Sequence, residues 1–138
     1  MATVFSDPTE NIHAKHLAIG LLLASLVSIV YSIFFITEFW SLFVPVVIFN
    51  FLFVLTTFPL SGFLGLKIML LLVGNALGVL WGLAWISFVS LATSLLGLSF
   101  EVFHAFFNPF FHSLWIVSFW SFGLSLLASS KTKREITP

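Results

Sequence analysis

Four long apolar stretches without Asp, Glu, Lys or Arg dominate this chain and fix its structural class. They cover residues 17–36, 40–58, 68–89 and 110–128. About 20 apolar residues cross the hydrocarbon core of a bilayer as a helix. Only 7% of the residues are charged, against roughly 25% in soluble domains, which is too few to cover a water-facing surface. The sequence therefore predicts an all-α integral membrane protein, with one transmembrane domain over residues 1–138.

The basic residues indicate how the four transmembrane helices are oriented. In an up-down bundle of four spans, both termini and the second turn lie on the same side. All five basic residues then share that side: Lys15, Lys67, Lys131, Lys133 and Arg134. The opposite side holds Glu38 and Glu101 and no base. Because cytoplasmic loops are rich in Lys and Arg, we expect a multi-pass protein with both termini in the cytoplasm.

A segment over residues 91–107 separates the third and fourth spans. Glu101, His104, Asn108 and His112 follow one another at steps of three, four and four, so they share one helical face. Apolar residues fill the remaining positions, as in a helix that lies flat on a membrane surface. The segment is therefore predicted to be an interfacial helix on the outer side. Asn108 is then the N-cap of the last span, and Pro109 its first residue.

The third span carries three glycines at intervals of four, Gly74, Gly78 and Gly82. Such small residues let a second helix backbone approach closely. Ser28 and Ser32 belong to a hydroxyl stripe on the first span, which we expect to pack against this glycine ridge. A ligand groove along the glycine face is the alternative.

One small polar residue in each span lies at a similar depth. Counted from the inner ends, these positions are about 10–12 Å deep at 1.5 Å per residue. The four residues are Ser25, Asn50, Asn75 and Ser121. Unpaired amides in hydrocarbon cost several kcal/mol, so we expect these groups to meet in an inner-leaflet polar layer. Hydrogen bonding between helices is one role for it, and a small polar pocket for an ion, a lipid headgroup or a quinone ring is the other.

Metal and cofactor chemistry has few candidate residues in this sequence. There is no cysteine, which excludes thiolate sites and disulfides. Glu101, His104 and His112 are the candidates for a divalent metal site on the outer face. The polar side of an interfacial helix accounts for them more simply, so no metal and no cofactor are predicted.

The function most consistent with these features is that of a non-catalytic accessory or assembly subunit in a larger membrane complex. No phosphate-binding loop, G-x-S-x-G or HExxH pattern is present. The expected partners are the lipid bilayer and other integral membrane subunits, or further copies of the chain. A net charge of zero gives no basic surface for nucleic acid. Two alternatives remain: a small oligomeric channel or facilitator for a solute or ion, and a redox subunit that binds a quinone or pigment.

Overall fold

The computed structural model describes the backbone of residues 8–35 and 40–135. Side chains are described at 11–33, 43–97, 100 and 102–129. This part of the chain is all-helical, as predicted, and contains four helices: α1 Pro8–Phe35, α2 Trp40–Thr57, α3 Leu64–Leu96 and α4 Leu98–Glu135.

Three of the four helices are long and apolar enough to cross a membrane. Their apolar segments are Asn11–Ile33 in α1, Leu64–Leu96 in α3 and Val102–Ser129 in α4. The apolar part of α2, Phe43–Thr57, is shorter. At 1.5 Å per residue, the 18 residues of α2 extend for about 27 Å, slightly less than a typical hydrocarbon core. Length therefore supports a membrane protein, and α2 is the marginal span.

The predicted interfacial helix over residues 91–107 is wrong as a separate element. Residues 91–96 complete α3, and residues 98–107 form the beginning of α4. Gly97 separates the two helices with a positive φ of 69°, a conformation that favours glycine, and its N–H donates to the Thr93 carbonyl at 2.9 Å.

The predicted N-cap at Asn108 is also wrong, because α4 continues through Pro109 without a break. Proline cannot donate to the carbonyl of the preceding turn, but one missing bond does not end this long helix. The Asn108 Oδ1 atom accepts a hydrogen bond from Trp85 Nε1 at 2.8 Å. The side chain thus joins α4 to α3 instead of capping a helix.

Consecutive helices run antiparallel where they contact one another. Between α1 and α2, Gly20 lies against Phe58 while Ser28 lies against Asn50, so residue numbers increase in opposite directions. The same holds between α3 and α4, where Gly74 faces Phe119 and Gly78 faces Trp115. α2 packs against all three other helices, and α1 packs mainly against α2.

Phenylalanines in and directly after α2 form the centre of the core. Phe49 and Phe53 of α2 are fully buried, and so is Phe58, which follows the helix. The Phe49 ring lies 5.4 Å from that of Phe53, 4.8 Å from that of Trp115 and 5.7 Å from that of Phe119. Such ring pairs each contribute about 0.5–1.5 kcal/mol beyond the area that they bury. Aromatic packing thus joins α2 to α4.

The structure shows a role for Lys67 that the sequence does not predict. The sequence places Lys67 with the other bases on the cytoplasmic side, and in the structure its side chain is buried, with 0% exposed. Its Nζ donates to the carbonyls of Phe58, at 2.9 Å, and Leu60, at 2.5 Å. Phe58 directly follows Thr57, the last residue of α2, and Leu60 lies in the turn beyond it. Carbonyls at a helix C-terminus lack helical donors and carry partial negative charge, so Lys67 caps the end of α2 and holds the turn that follows it. Lys15 is exposed, whereas the other predicted surface bases lie outside the described side chains: Lys131, Lys133 and Arg134.

We predict that Lys67→Met lowers the free energy of unfolding by about 1.5–3 kcal/mol, the usual range for hydrogen bonds to a charged group. The substitution keeps the length of the side chain and removes its donors. Denaturation by increasing SDS in mixed micelles measures the change. Lys15→Met, at an exposed position on α1, is the matched control and should unfold like the unmodified protein. Equal stability of both variants would contradict the capping role.

Candidate functional site

Four side chains from three helices form a polar cluster in the interior: Ser28, Tyr31, Asn50 and Asn75. Asn75 Nδ2 donates to Asn50 Oδ1 at 2.6 Å and to the Leu71 carbonyl at 2.8 Å. Asn50 Nδ2 lies 3.5 Å from Ser28 Oγ, and the Tyr31 hydroxyl donates to the backbone carbonyl of Asn75 at 3.2 Å. The structure thus brings together the two asparagines that the sequence places at one depth.

The other two residues of the predicted layer do not reach this cluster. Ser25 and Ser121 are exposed on the outer faces of α1 and α4. Ser28, three residues after Ser25, provides the α1 hydroxyl instead. The depth of a residue follows from its position along a helix, but the direction of its side chain depends on how the helix rotates to pack. The position of these serines along their helices predicts how deep they lie, but it does not predict which way their side chains point.

The glycine ridge of α3 accommodates aromatic rings. A Cβ at Gly74 would collide with the rings of Phe49 and Phe119, and one at Gly78 would collide with Trp115. Gly82 is buried as well. The close approach that the small residues were expected to allow is therefore present at Gly74 and Gly78. Aromatic side chains from α2 and α4 make that approach.

Ser28 and Ser32 of α1 were expected to pack against these glycines, but their hydrogen bonds lie elsewhere. Ser28 lies beside Asn50 of α2, while the Ser32 hydroxyl donates to the Ile29 carbonyl of its own helix at 2.7 Å. The reason is that α1 packs mainly against α2.

An aromatic stack joins α3 and α4 beyond the glycines. The Phe111 ring lies between Trp81, at 4.9 Å, and Trp85, at 3.7 Å, with both pairs nearly parallel. Trp81 Nε1 donates to the Phe111 carbonyl at 3.2 Å, while Trp85 bonds to Asn108 as described above. Their spacing of four residues places the two tryptophans on one face of α3, but the sequence gives no signal for Asn108 as a partner.

Three open, apolar hollows adjoin this stack on the outer surface of α3 and α4. Their volumes are about 330, 240 and 390 Å³, and Trp81 borders all of them. We call this surface the α3–α4 groove and define it by Leu77, Trp81, Ala84, Leu114, Trp115 and Ser118. The Ser118 hydroxyl is the one side-chain oxygen among these six residues. The groove therefore suits an apolar occupant.

The predicted metal candidates do not form a recognisable site in the described part of the chain. The Glu101 side chain lies outside the described residues. His104 packs against the Trp85 ring at 5.7 Å, and His112 is buried in α4 with 4% of its surface exposed. No group of three or more His, Cys, Asp or Glu side chains among the described residues is close enough to hold a metal ion.

Comparison with known protein families, curated proteins and solved structures gives no match to this chain. The functional conclusion therefore depends on the polar cluster, the aromatic stack and the α3–α4 groove themselves.

Proposed function

We propose that this protein is a non-catalytic accessory or assembly subunit of a larger membrane complex. The observation that carries the proposal is the distribution of polar and apolar groups in the described chain. The interior asparagines bond to one another and to neighbouring helices, whereas three open hollows lie outside, on or beside the apolar α3–α4 groove. This arrangement suits a protein that acts by contact with a neighbour.

A channel through this bundle receives less support from the geometry. Asn50 is 0% exposed and Asn75 is 5% exposed, so neither amide lines an open path in a single copy of the chain. A permeation path requires polar groups that contact water or the moving ion along its length. The direct bond between the two asparagines instead matches hydrogen bonding that joins neighbouring helices.

The partner that best fits the groove is an apolar transmembrane helix of another subunit. Helices in lipid associate through close packing and small interfacial residues. Ala84 and Ser118 keep the groove open beside the large Trp81 ring, which provides a wall for a side chain inserted from a neighbour. The exposed apolar face of α1, as at Leu22, suits lipid chains.

The proposal includes four spans with both termini in the cytoplasm. α2 runs antiparallel to α1 and contacts all three longer helices, which supports its place inside the bundle although it is shorter than the bilayer core. Exposed Lys15 lies toward the α1 terminus that this arrangement places in the cytoplasm, as basic residues prefer.

Single cysteines test whether α2 crosses the membrane, since the chain has none of its own. With four spans, a membrane-impermeant maleimide added outside intact cells should label Ser99→Cys. Ser61→Cys and Ser130→Cys should react only after permeabilisation. If α2 does not cross, all three positions change sides. Outside labelling at positions 61 and 130 with protection at 99 would contradict four spans with both termini in the cytoplasm.

Purification in mild detergent tests the subunit proposal. The unmodified protein should retain other integral membrane chains at a fixed ratio, measured by native mass spectrometry. Ala84→Trp fills the groove and should reduce that ratio at least tenfold. Leu22→Trp, a matched control on the exposed face of α1, should leave it unchanged. A homogeneous assembly of this chain alone, or equal retention by both variants, would contradict the proposal.

A further inference from the structure

The hairpin formed by α3 and α4 extends well beyond the other two helices at one end of the bundle. The hydrogen bond between Asn50 and Asn75 sets α2 and α3 at a common level. From that level, α2 runs ten residues to its first residue, Trp40, whereas α3 runs 21 residues to its last residue, Leu96. At 1.5 Å per residue, these lengths are about 15 and 32 Å. The hairpin therefore reaches about 17 Å further than α2.

The hairpin tip, which we define as residues 87–96 of α3 and 98–107 of α4, lies outside the hydrocarbon core in the four-span arrangement proposed above. The end of a helix carries backbone groups without helical partners, and hydrocarbon offers them none. The neighbouring ends of α1 and α2 therefore mark the outer boundary of the core. α1 ends at Phe35, only seven residues after Ser28, which lies beside Asn50. The tip extends past both of these ends.

One exposed face of α3 changes from apolar to polar as the helix enters the tip. Leu80 and Leu83 precede the tip on this face and are 62% and 42% exposed. Within the tip, the same face carries three exposed serines at steps of three and four: Ser87, Ser90 and Ser94. Glu101 also belongs to the tip, and a carboxylate inside hydrocarbon is costly. This composition fits the outer membrane surface better than the lipid chains.

A second exposed face of α3 stays apolar from the groove to the tip. We call it the α3 heptad face, because its six exposed members alternate at intervals of four and three residues: Leu77, Trp81, Ala84, Phe88, Leu91 and Leu95. This is the spacing of the positions that face a partner helix in a coiled coil. The first three members line the α3–α4 groove. The last three lie in the tip, where their exposed fractions are 52%, 62% and 75%.

Packed rings hold the α3 heptad face in place where it enters the tip. The Phe88 ring stacks on Trp85 of its own helix at 5.5 Å. Across the hairpin, Phe100 of α4 is only 8% exposed and meets Phe88 edge-on at 5.9 Å. The surface is thus formed before any partner binds, which lowers the cost of association.

We propose that a helix of the partner subunit packs along the whole α3 heptad face and continues past the outer membrane surface to the hairpin tip. This inference rests on the function proposed above, because it specifies the occupant of the α3–α4 groove. The face is about 27 Å long from Leu77 to Leu95 at the rise of an α-helix. Its outer half lies beyond the lipid chains and is apolar, as in a surface that another protein covers. The heptad spacing matches a helix that carries apolar residues at the same intervals.

Cysteines at two consecutive positions of the tip test this inference in membranes that contain the whole complex. Ser94→Cys and Leu95→Cys place thiols at nearly one depth but about 100° apart around α3. A membrane-impermeant maleimide should label Ser94→Cys readily and Leu95→Cys at least tenfold more slowly. When Ala84→Trp is added to release the partner, both thiols should react at similar rates.

Three outcomes would overturn the inference. Equal rates at both thiols with the partner retained would show that the tip is uncovered. Protection of both thiols, with or without Ala84→Trp, would place the tip in lipid. Continued protection of Leu95→Cys alone after release of the partner would show that something other than the partner covers it.

The retention of other chains, measured on the same samples by native mass spectrometry, separates this inference from the proposed function. If the unmodified protein retains no other membrane chain, the proposed function fails and the inference fails with it. If a chain is retained and Ala84→Trp releases it, but Leu95→Cys reacts as fast as Ser94→Cys in the intact complex, only the inference fails. The partner then occupies the groove without reaching the tip.

Discussion

The hydrogen bond from Asn75 to Asn50 is the interaction on which the arrangement of this bundle depends. In an apolar interior, an amide without a partner costs several kcal/mol, so each asparagine constrains the rotation of its helix. α2 must turn Asn50 toward α3, and α3 must turn Asn75 toward α2. Apolar residues cover most of every helix and give little preference for one rotation over another. The asparagine pair favours one rotation of each helix, which apolar side chains such as leucine and phenylalanine do not do by themselves.

Packing around this pair follows from the sizes of the side chains beside it. With Asn75 turned toward α2, Gly74 and Gly78 face the interior and leave room for rings from two helices. Phe49 enters from α2, while Phe119 and Trp115 enter from α4. Lys67 then holds the far end of α2 through the carbonyls of Phe58 and Leu60, which lie in the turn directly after the helix. A short helix is thus fixed at its centre by an amide, along its length by rings and at its end by a buried cation.

Much of this fold could be predicted from the sequence, because length and apolarity determine where membrane-sized helices form. The depths of Asn50 and Asn75 were also predictable, since a helix rises by a constant amount per residue. Rotation was not predictable for Ser25 and Ser121, because apolar side chains surround both positions and other serines of the same helices, such as Ser28 and Ser118, could equally turn inward. The burial of Lys67 was not predictable, because its charge alone does not reveal the carbonyls beside the end of α2 that accept its hydrogen bonds. Asn108 resembles an N-cap in sequence, and only the position of Trp85 reveals its actual bond.

A double-mutant cycle on Asn50 and Asn75 tests the central claim most directly. The free energies of unfolding of Asn50→Leu, Asn75→Leu and the double variant would be measured by SDS titration in mixed micelles. Because each single variant already breaks the shared bond, the double variant should lose less stability than the sum of the two. The expected coupling is about 0.6–2 kcal/mol, the range for hydrogen bonds between membrane helices. Strictly additive losses, with no coupling between the two sites, would contradict the account.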